Sequence, residues 1–135
     1  MYVLRTEHEK LLKIWKMLSF EITLQVNKKI IFYENHFIEF YQEQDQKVKG
    51  KIQYVFELIK QVDRVPEKFL KHLTGTNELY EIRIEYKSNI YRIFCCFDDG
   101  KLVILFNGFQ KKTQKTPQKE VDKAERLMKK YLASR

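Results

Sequence analysis

Residues 79–107 read LYEIRIEYKSNIYRIFCCFDDGKLVILFN, and this stretch decides the fold. Three β-prone runs stand in it, Leu79 to Tyr86, Ile90 to Phe97 and Lys101 to Asn107, separated by Lys87-Ser88-Asn89 and Asp98-Asp99-Gly100. The Asp-Gly pair is a strong hairpin signal, because a tight turn needs residues that accept positive φ. In the first run Tyr80, Ile82, Ile84 and Tyr86 alternate with Glu81, Arg83 and Glu85, so one face meets a core and the other carries charge. The third run is apolar from Leu102 to Phe106, the pattern of a central strand covered on both sides.

Upstream, the segment KIIFY at Lys29 to Tyr33 predicts a short strand, and Glu34-Asn35 can open a helix. Phe37, Tyr41, Gln44, Val48, Ile52, Val55, Ile59 and Val62 recur at spacings of three and four, with Phe40 and Phe56 widening the stripe. Asp45 can cap a second helix and Gly50 weakens a single unbroken rod, so the expectation is a helical hairpin ended by Pro66. Thr74 to Asn77 then reads as a turn. Downstream, Thr116 is the expected N-cap, Pro117 the first helical residue, and Gln118 to Leu132 a basic helix. Lys119 stands where a reciprocal capping box would need Glu. The fold class expected is α+β: an N-terminal helical hairpin packed on a small antiparallel sheet, followed by a C-terminal basic helix.

The chain has 135 residues, 44% hydrophobic and 14% aromatic, enough for one domain with its own core. Its 26 Lys and Arg exceed its 18 Asp and Glu, giving +8 at pH 7 and a pI near 9.4. Such a balance favours polyanionic partners. Residues 110–135 hold nine basic against three acidic side chains, which makes the C-terminal fifth the electropositive end. Composition alone equally fits a solvated basic helix. Cys95 and Cys96 are the only cysteines and are neighbours in an apolar run, so they read as buried reduced thiols of a cytoplasmic protein. His8, His36 and His72 are scattered, so neither a metal site nor a metal cofactor is expected. Lys13 and Lys16 interrupt the apolar run Leu11 to Phe20, which argues against a membrane span and a secretory signal.

A two-residue turn at Ser88-Asn89 would set Glu85 opposite Arg92 and Arg83 opposite Phe94, with both arginines on the charged face. A second two-residue turn at Asp99-Gly100 would bring Val103, Leu105 and Asn107 to that face, with Asn107 beside Arg92. Lys111 and Lys112 leave the same strand end, so three or four cations converge. The ordinary structural account is a set of cross-strand ion pairs, Arg92 with Glu85 and Arg83 with Glu81 or Glu85. Exposed pairs of this kind contribute only ~0 to 1 kcal/mol.

The Leu-Tyr-Glu-Ile-Arg start, the Tyr-Arg-Ile strand and the run Gly-Phe-Gln-Lys-Lys-Thr-Gln-Lys-Thr-Pro at 108–117 occur in order at close spacing. Together they resemble the signature of the phage-derived, HigB-like branch of the RelE toxin superfamily. The resemblance covers roughly Lys28 to Leu132, which divides the chain into an extension over residues 1–27 and a toxin domain over 28–135. Val26 to Ile30 reads like a family N-terminus with Val26 as a GTG-encoded initiator, whereas Phe20, Ile22, Leu24 and Val26 alternate as a genuine strand would.

The resemblance implies a compact fold with a curved antiparallel sheet, and metal-independent cleavage of messenger RNA, often on the ribosome. It implies a helix-turn-helix antitoxin encoded nearby as partner, and no cofactor. Carried over by position, Arg83 and Arg92 correspond to the family's basic strand residues, and Lys111 or Lys112 to its basic position after the last strand. Arginine presents a planar fork matched to phosphate, and a lysine among other cations can act as a base. On this reading Arg83 and Arg92 clamp phosphate, Lys112 or Lys111 takes the 2′-hydroxyl proton, and Lys115, Lys119 and Asn107 hold RNA. Many relatives carry a tyrosine or histidine near the chain end; here Tyr131 is the nearby candidate, expected on the helix, and the general acid stays unassigned. Two alternatives are a ParE-like toxin that poisons gyrase and an inactive nucleic-acid-binding protein. The charged strand face favours RNA over gyrase, and it offers only Phe94 and Phe109 for the base stacking that the second alternative needs.

Overall fold

The computed structural model describes residues 9–11, 13–14 and 27–135. The alternation read over residues 20–26 lies outside them. Strands β1 (Lys29–Phe32), β2 (Leu70–His72), β3 (Tyr80–Tyr86), β4 (Asn89–Asp98) and β5 (Leu102–Lys111) join helices α1 (His36–Gln42), α2 (Gln46–Gln61) and α3 (Gln118–Ser134). The strands form one sheet in the order β1-β5-β4-β3-β2. The helical hairpin, the internal apolar strand and the basic C-terminal helix are all present. The sheet is mixed rather than antiparallel, because β1 runs parallel to β5, from Lys29 opposite Leu102 to Phe32 opposite Leu105.

Asp45 caps α2, its carboxylate accepting from the Val48 N–H at 2.9 Å. At the other end the Lys28 ammonium donates to the carbonyls of Ile59 (3.0 Å) and Val62 (2.5 Å), a cation placed on the negative end of the helix. Thr116 does not cap α3. Pro117 is the last extended residue, with φ −60° and ψ 125°, and its carbonyl accepts from Glu120 at 3.0 Å and Val121 at 3.3 Å.

The strand registers differ from the expected ones in an instructive way. The β3–β4 turn is Lys87-Ser88, with Lys87 at φ 56°, so Arg83 lies directly opposite Arg92. The shift is by an even number of residues, and both arginines keep the face assigned to them. Between β4 and β5 the loop has three residues, since Asp98 pairs with Leu102. Asp99 (φ 57°) and Gly100 (φ 72°) supply its left-handed turn. One extra residue inverts the faces of the first half of β5. Val103 and Leu105 therefore lie opposite Phe97 and Cys95, on the hairpin side and not beside the arginines. A bulge follows: Ile93 pairs with Gly108 and Cys95 with Leu105, so Phe94 is opposed by both Phe106 and Asn107. The second inversion restores the original faces, and Arg92 lies opposite Phe109 and Ile90 opposite Lys111.

Each face of the sheet buries its own core. Ile82, Ile84, Ile93, Cys95, Val103 and Leu105 pack against Phe37 and Phe40 of α1 and Val48, Ile52, Val55, Phe56 and Ile59 of α2. Leu79, Phe94, Cys96, Ile104 and Phe106 pack against Val121, Ala124, Leu127 and Met128 of α3. Full burial of such a side chain stabilises by about 1.5 to 3 kcal/mol. Gly108 lets α1 approach β5: a Cβ there would stand 2.6 Å from the Phe40 ring. Both cysteines are free and buried. Burial raises the pKa of both thiols, that of Cys96 to about 11.

Candidate functional site

Helix α3 covers only part of its face of the sheet. Near its start the Asn107 amide donates to the carbonyl and carboxylate of Glu120, both at 3.1 Å. Near its end the Tyr131 hydroxyl donates to Asp98 at 2.8 Å, and Arg135 forms an ion pair with the same carboxylate. The helix thus runs from the bulge toward the β4–β5 loop. Toward the β3–β4 turn the face is open, and a cleft of about 630 Å3 lies there. Arg83, Arg92, Lys111 and Lys112 line it together with Glu85 and Ser88.

The four cations reach the cleft from three segments. Arg83 and Arg92 project from adjacent strands as a direct cross-strand pair. Lys111 ends β5, two residues beyond Phe109 on the Arg92 face, and Lys112 follows at the start of the loop toward α3. Lys111 is half-buried and Lys112 exposed. Lys115 and Lys119 are exposed on the approach to α3 and its first turn and do not line the cleft. Asn107 is 2% exposed and held by Glu120. It lines a neighbouring pocket with His36, Glu39 and Lys123, so its predicted place beside Arg92 is corrected to the bulge opposite Phe94.

The arginines differ in exposure. Arg83 keeps 29% of its side-chain surface and donates to the Glu67 carbonyl at 3.4 Å. Arg92 is 2% exposed and donates to its neighbour's carbonyl at Tyr91, 3.1 Å away. Burial first, then the charge of Arg83, lowers the Arg92 pKa, while Glu81 and Glu85 oppose the shift. The expected partner of Arg92, Glu85, is not its ion pair. Both arginines face Glu81, Arg83 Nε at 3.6 Å and Arg92 Nε at 3.8 Å. Arg83 thus keeps solvent around part of its side chain, whereas Arg92 is enclosed, and loss of Arg92 would leave more buried charge unpaired. Glu81 is the residue that sequence reasoning underrated. Its alternation with Arg83 was the available signal, but only the observed register brings Arg92 to it.

Tyr131 lies far from the cleft. Its partner Asp98 is at the opposite end of β4 from Arg92, about 20 Å along the strand at ~3.3 Å per residue. The hydrogen bond to Asp98, then burial, raises its pKa. Among the described residues no three His, Cys, Asp or Glu side chains group as metal ligands, and no helix is long and apolar enough to cross a membrane.

The family described as "Phage derived protein Gp49-like" matches residues 39–129, from within α1 to within α3. The chain belongs to this family. It is a RelE/HigB-like toxin family, in agreement with the motifs of β3 to α3. No curated protein matches the sequence. Among solved structures, the chain is similar to one in the archaeal RelE-RelB complex from Pyrococcus horikoshii OT3, at 14% identity and TM-score 0.47, over 61% of this chain and 92% of that one. It is also similar to one in the RelB-RelE antitoxin-toxin complex from Methanococcus jannaschii, at 16% identity and TM-score 0.48, over 64% of this chain and 99% of that one.

Proposed function

We propose that this Gp49-like protein is the toxin of a type II toxin-antitoxin pair and that it stops translation by cutting messenger RNA, on the ribosome, in the cytoplasm. The observation that carries the reading is the convergence of Arg83, Arg92, Lys111 and Lys112 on one open cleft at the uncovered end of the sheet. Cleavage of RNA by its own 2′-hydroxyl needs a base for that proton, positive charge for the crowded phosphorus, and support for the leaving oxygen. Arg83, the less buried of the two arginines, contacts the scissile phosphate. Arg92 supports it from the floor of the cleft. A preorganised donor in this position is worth about 3 to 4 kcal/mol.

Lys111 and Lys112 divide the remaining work between base and phosphate contact. Lys115 and Lys119, outside the cleft, hold the flanking RNA by charge. Asn107 is tied to Glu120 and takes no part, and Tyr131 is too distant to serve as the acid. The charge that a metal ion would bring to such a reaction comes here from side chains. Family membership supports the partner: an antitoxin encoded beside this gene and carrying a helix-turn-helix.

Brief expression in cells tests the reading. Discrete new RNA 5′ ends, growth arrest and rescue by the neighbouring gene are expected. DNA damage signalling without RNA ends would instead mark a gyrase poison. Replacing Lys111 or Lys112 with alanine assigns the base. The true base loses roughly 100-fold or more in cleavage, whereas its neighbour loses mainly salt-sensitive binding.

A further inference from the structure

Two arginines directly opposite each other in an antiparallel pair repel, and such a pair is ordinarily selected against. Here both are kept on one face, and the reason sits two residues before Arg83. The Glu81 carboxylate, 6% exposed, stands between them, one oxygen 3.6 Å from Arg83 Nε and the other 3.8 Å from Arg92 Nε. Both separations suit an ion pair and are too long for a hydrogen bond. Glu81 Oε2, Arg83 Nε and Arg92 Nε are accordingly buried without a hydrogen-bond partner. With Asn107 Oδ1 they make up all the buried side-chain atoms in that condition among the described residues. Buried polar groups are nearly always satisfied, and a cluster left unsatisfied marks a place built for something other than stability.

The geometry points to Glu81 as a positioning residue that aligns Arg83 and Arg92 into one oxyanion-binding pair and limits how tightly that pair holds its ligand. The carboxylate attracts both guanidinium groups toward one point, which overcomes their mutual repulsion. It also cancels one of their two charges, so a phosphate entering the cleft meets a pair already oriented but only half as cationic. Phosphate approaches from the cleft that Arg83 and Arg92 line, while Glu81 lies against their buried Nε atoms. A cleft that must release cleaved RNA gains from such a limit, since binding substrate, transition state and product alike adds nothing to turnover.

This inference rests on reading the cleft as a phosphate site, and inorganic phosphate tests it without any RNA cleavage. Titrated into the full chain, phosphate should shift the Nε–Hε resonances of Arg83 and Arg92 together along one binding curve. In Glu81→Gln, which keeps the side-chain shape, phosphate should bind about tenfold more tightly, the effect of removing one negative charge a few ångströms from the anion. With RNA, the same variant should lower both KM and kcat, a split that simple loss of stability does not produce. Unchanged or weaker phosphate binding by folded Glu81→Gln overturns the proposal. If that variant does not fold, the wild-type titration still decides, because arginine signals that fail to move together overturn it as well. Tightened phosphate binding with no RNA cleavage in either protein would leave the role of Glu81 standing and remove the ribonuclease reading alone.

Discussion

One face of the sheet is divided between two tasks. At the end near the β4–β5 loop, Phe94, Cys96, Ile104 and Phe106 lie under α3, closed and apolar. At the end near the β3–β4 turn, strands β3 and β4 carry Arg83 and Arg92 on that face into the cleft, with Glu81 buried against both. Continuous strands therefore run from a core into a cleft, and their rigidity at one end fixes side-chain placement at the other. The covered end should answer to mutation in stability. The open end should answer in chemistry.

The largest effect is expected where α3 packs. Phe106→Ala should cost about 3 to 5 kcal/mol, through lost burial and the cavity left behind, and urea denaturation reads this directly. A small loss would mean that α3 is loosely held and the division between the ends is softer than drawn. Arg92→Ala sits at the boundary. Removing one member of a buried ion pair costs about 3 kcal/mol or more, so this variant should lose stability and cleavage together. A melt like that of wild type would place Arg92 functionally with the less buried Arg83. Gly108→Ala tests the opposite face, where the new methyl must displace the Phe40 ring. About 1 to 3 kcal/mol is expected, with cleavage by the folded fraction unchanged.

Much of this division was legible in the chain. Alternation in β3 named the charged face, the 3.6-residue stripe gave α2, and Asp45 announced its cap. Other features were not. The three-residue loop after Asp98 and the bulge at Asn107 each insert one residue into the β4–β5 register. Pairing parity depends on turn length and bulges, which propensity does not encode in residues so uniformly apolar. Because the two insertions cancel, Lys111 still emerges beside Arg92, while Val103, Leu105 and Asn107 do not. The parallel pairing of β1 was equally hidden, since four residues, KIIF, carry no mark of strand direction. Burial of Arg92 and its sharing of Glu81 with Arg83 depend on the exact register, and so the sequence showed the cations of the cleft but not the anion that arranges them.

Arg83 carries the central claim, because it is half-buried at the cleft wall, held by an ion pair at 3.6 Å and one long hydrogen bond at 3.4 Å, and placed to touch phosphate. Arg83→Ala should cost less stability than Arg92→Ala, because Arg83 keeps 29% of its side-chain surface although its partner Glu81 is buried. Cleavage of ribosome-bound messenger by the purified variant, measured beside a thermal melt, is the direct test. The account predicts a melt lowered by less than that of Arg92→Ala and a loss of cleavage of roughly 100-fold or more. Wild-type cleavage by a stably folded Arg83→Ala protein would contradict it.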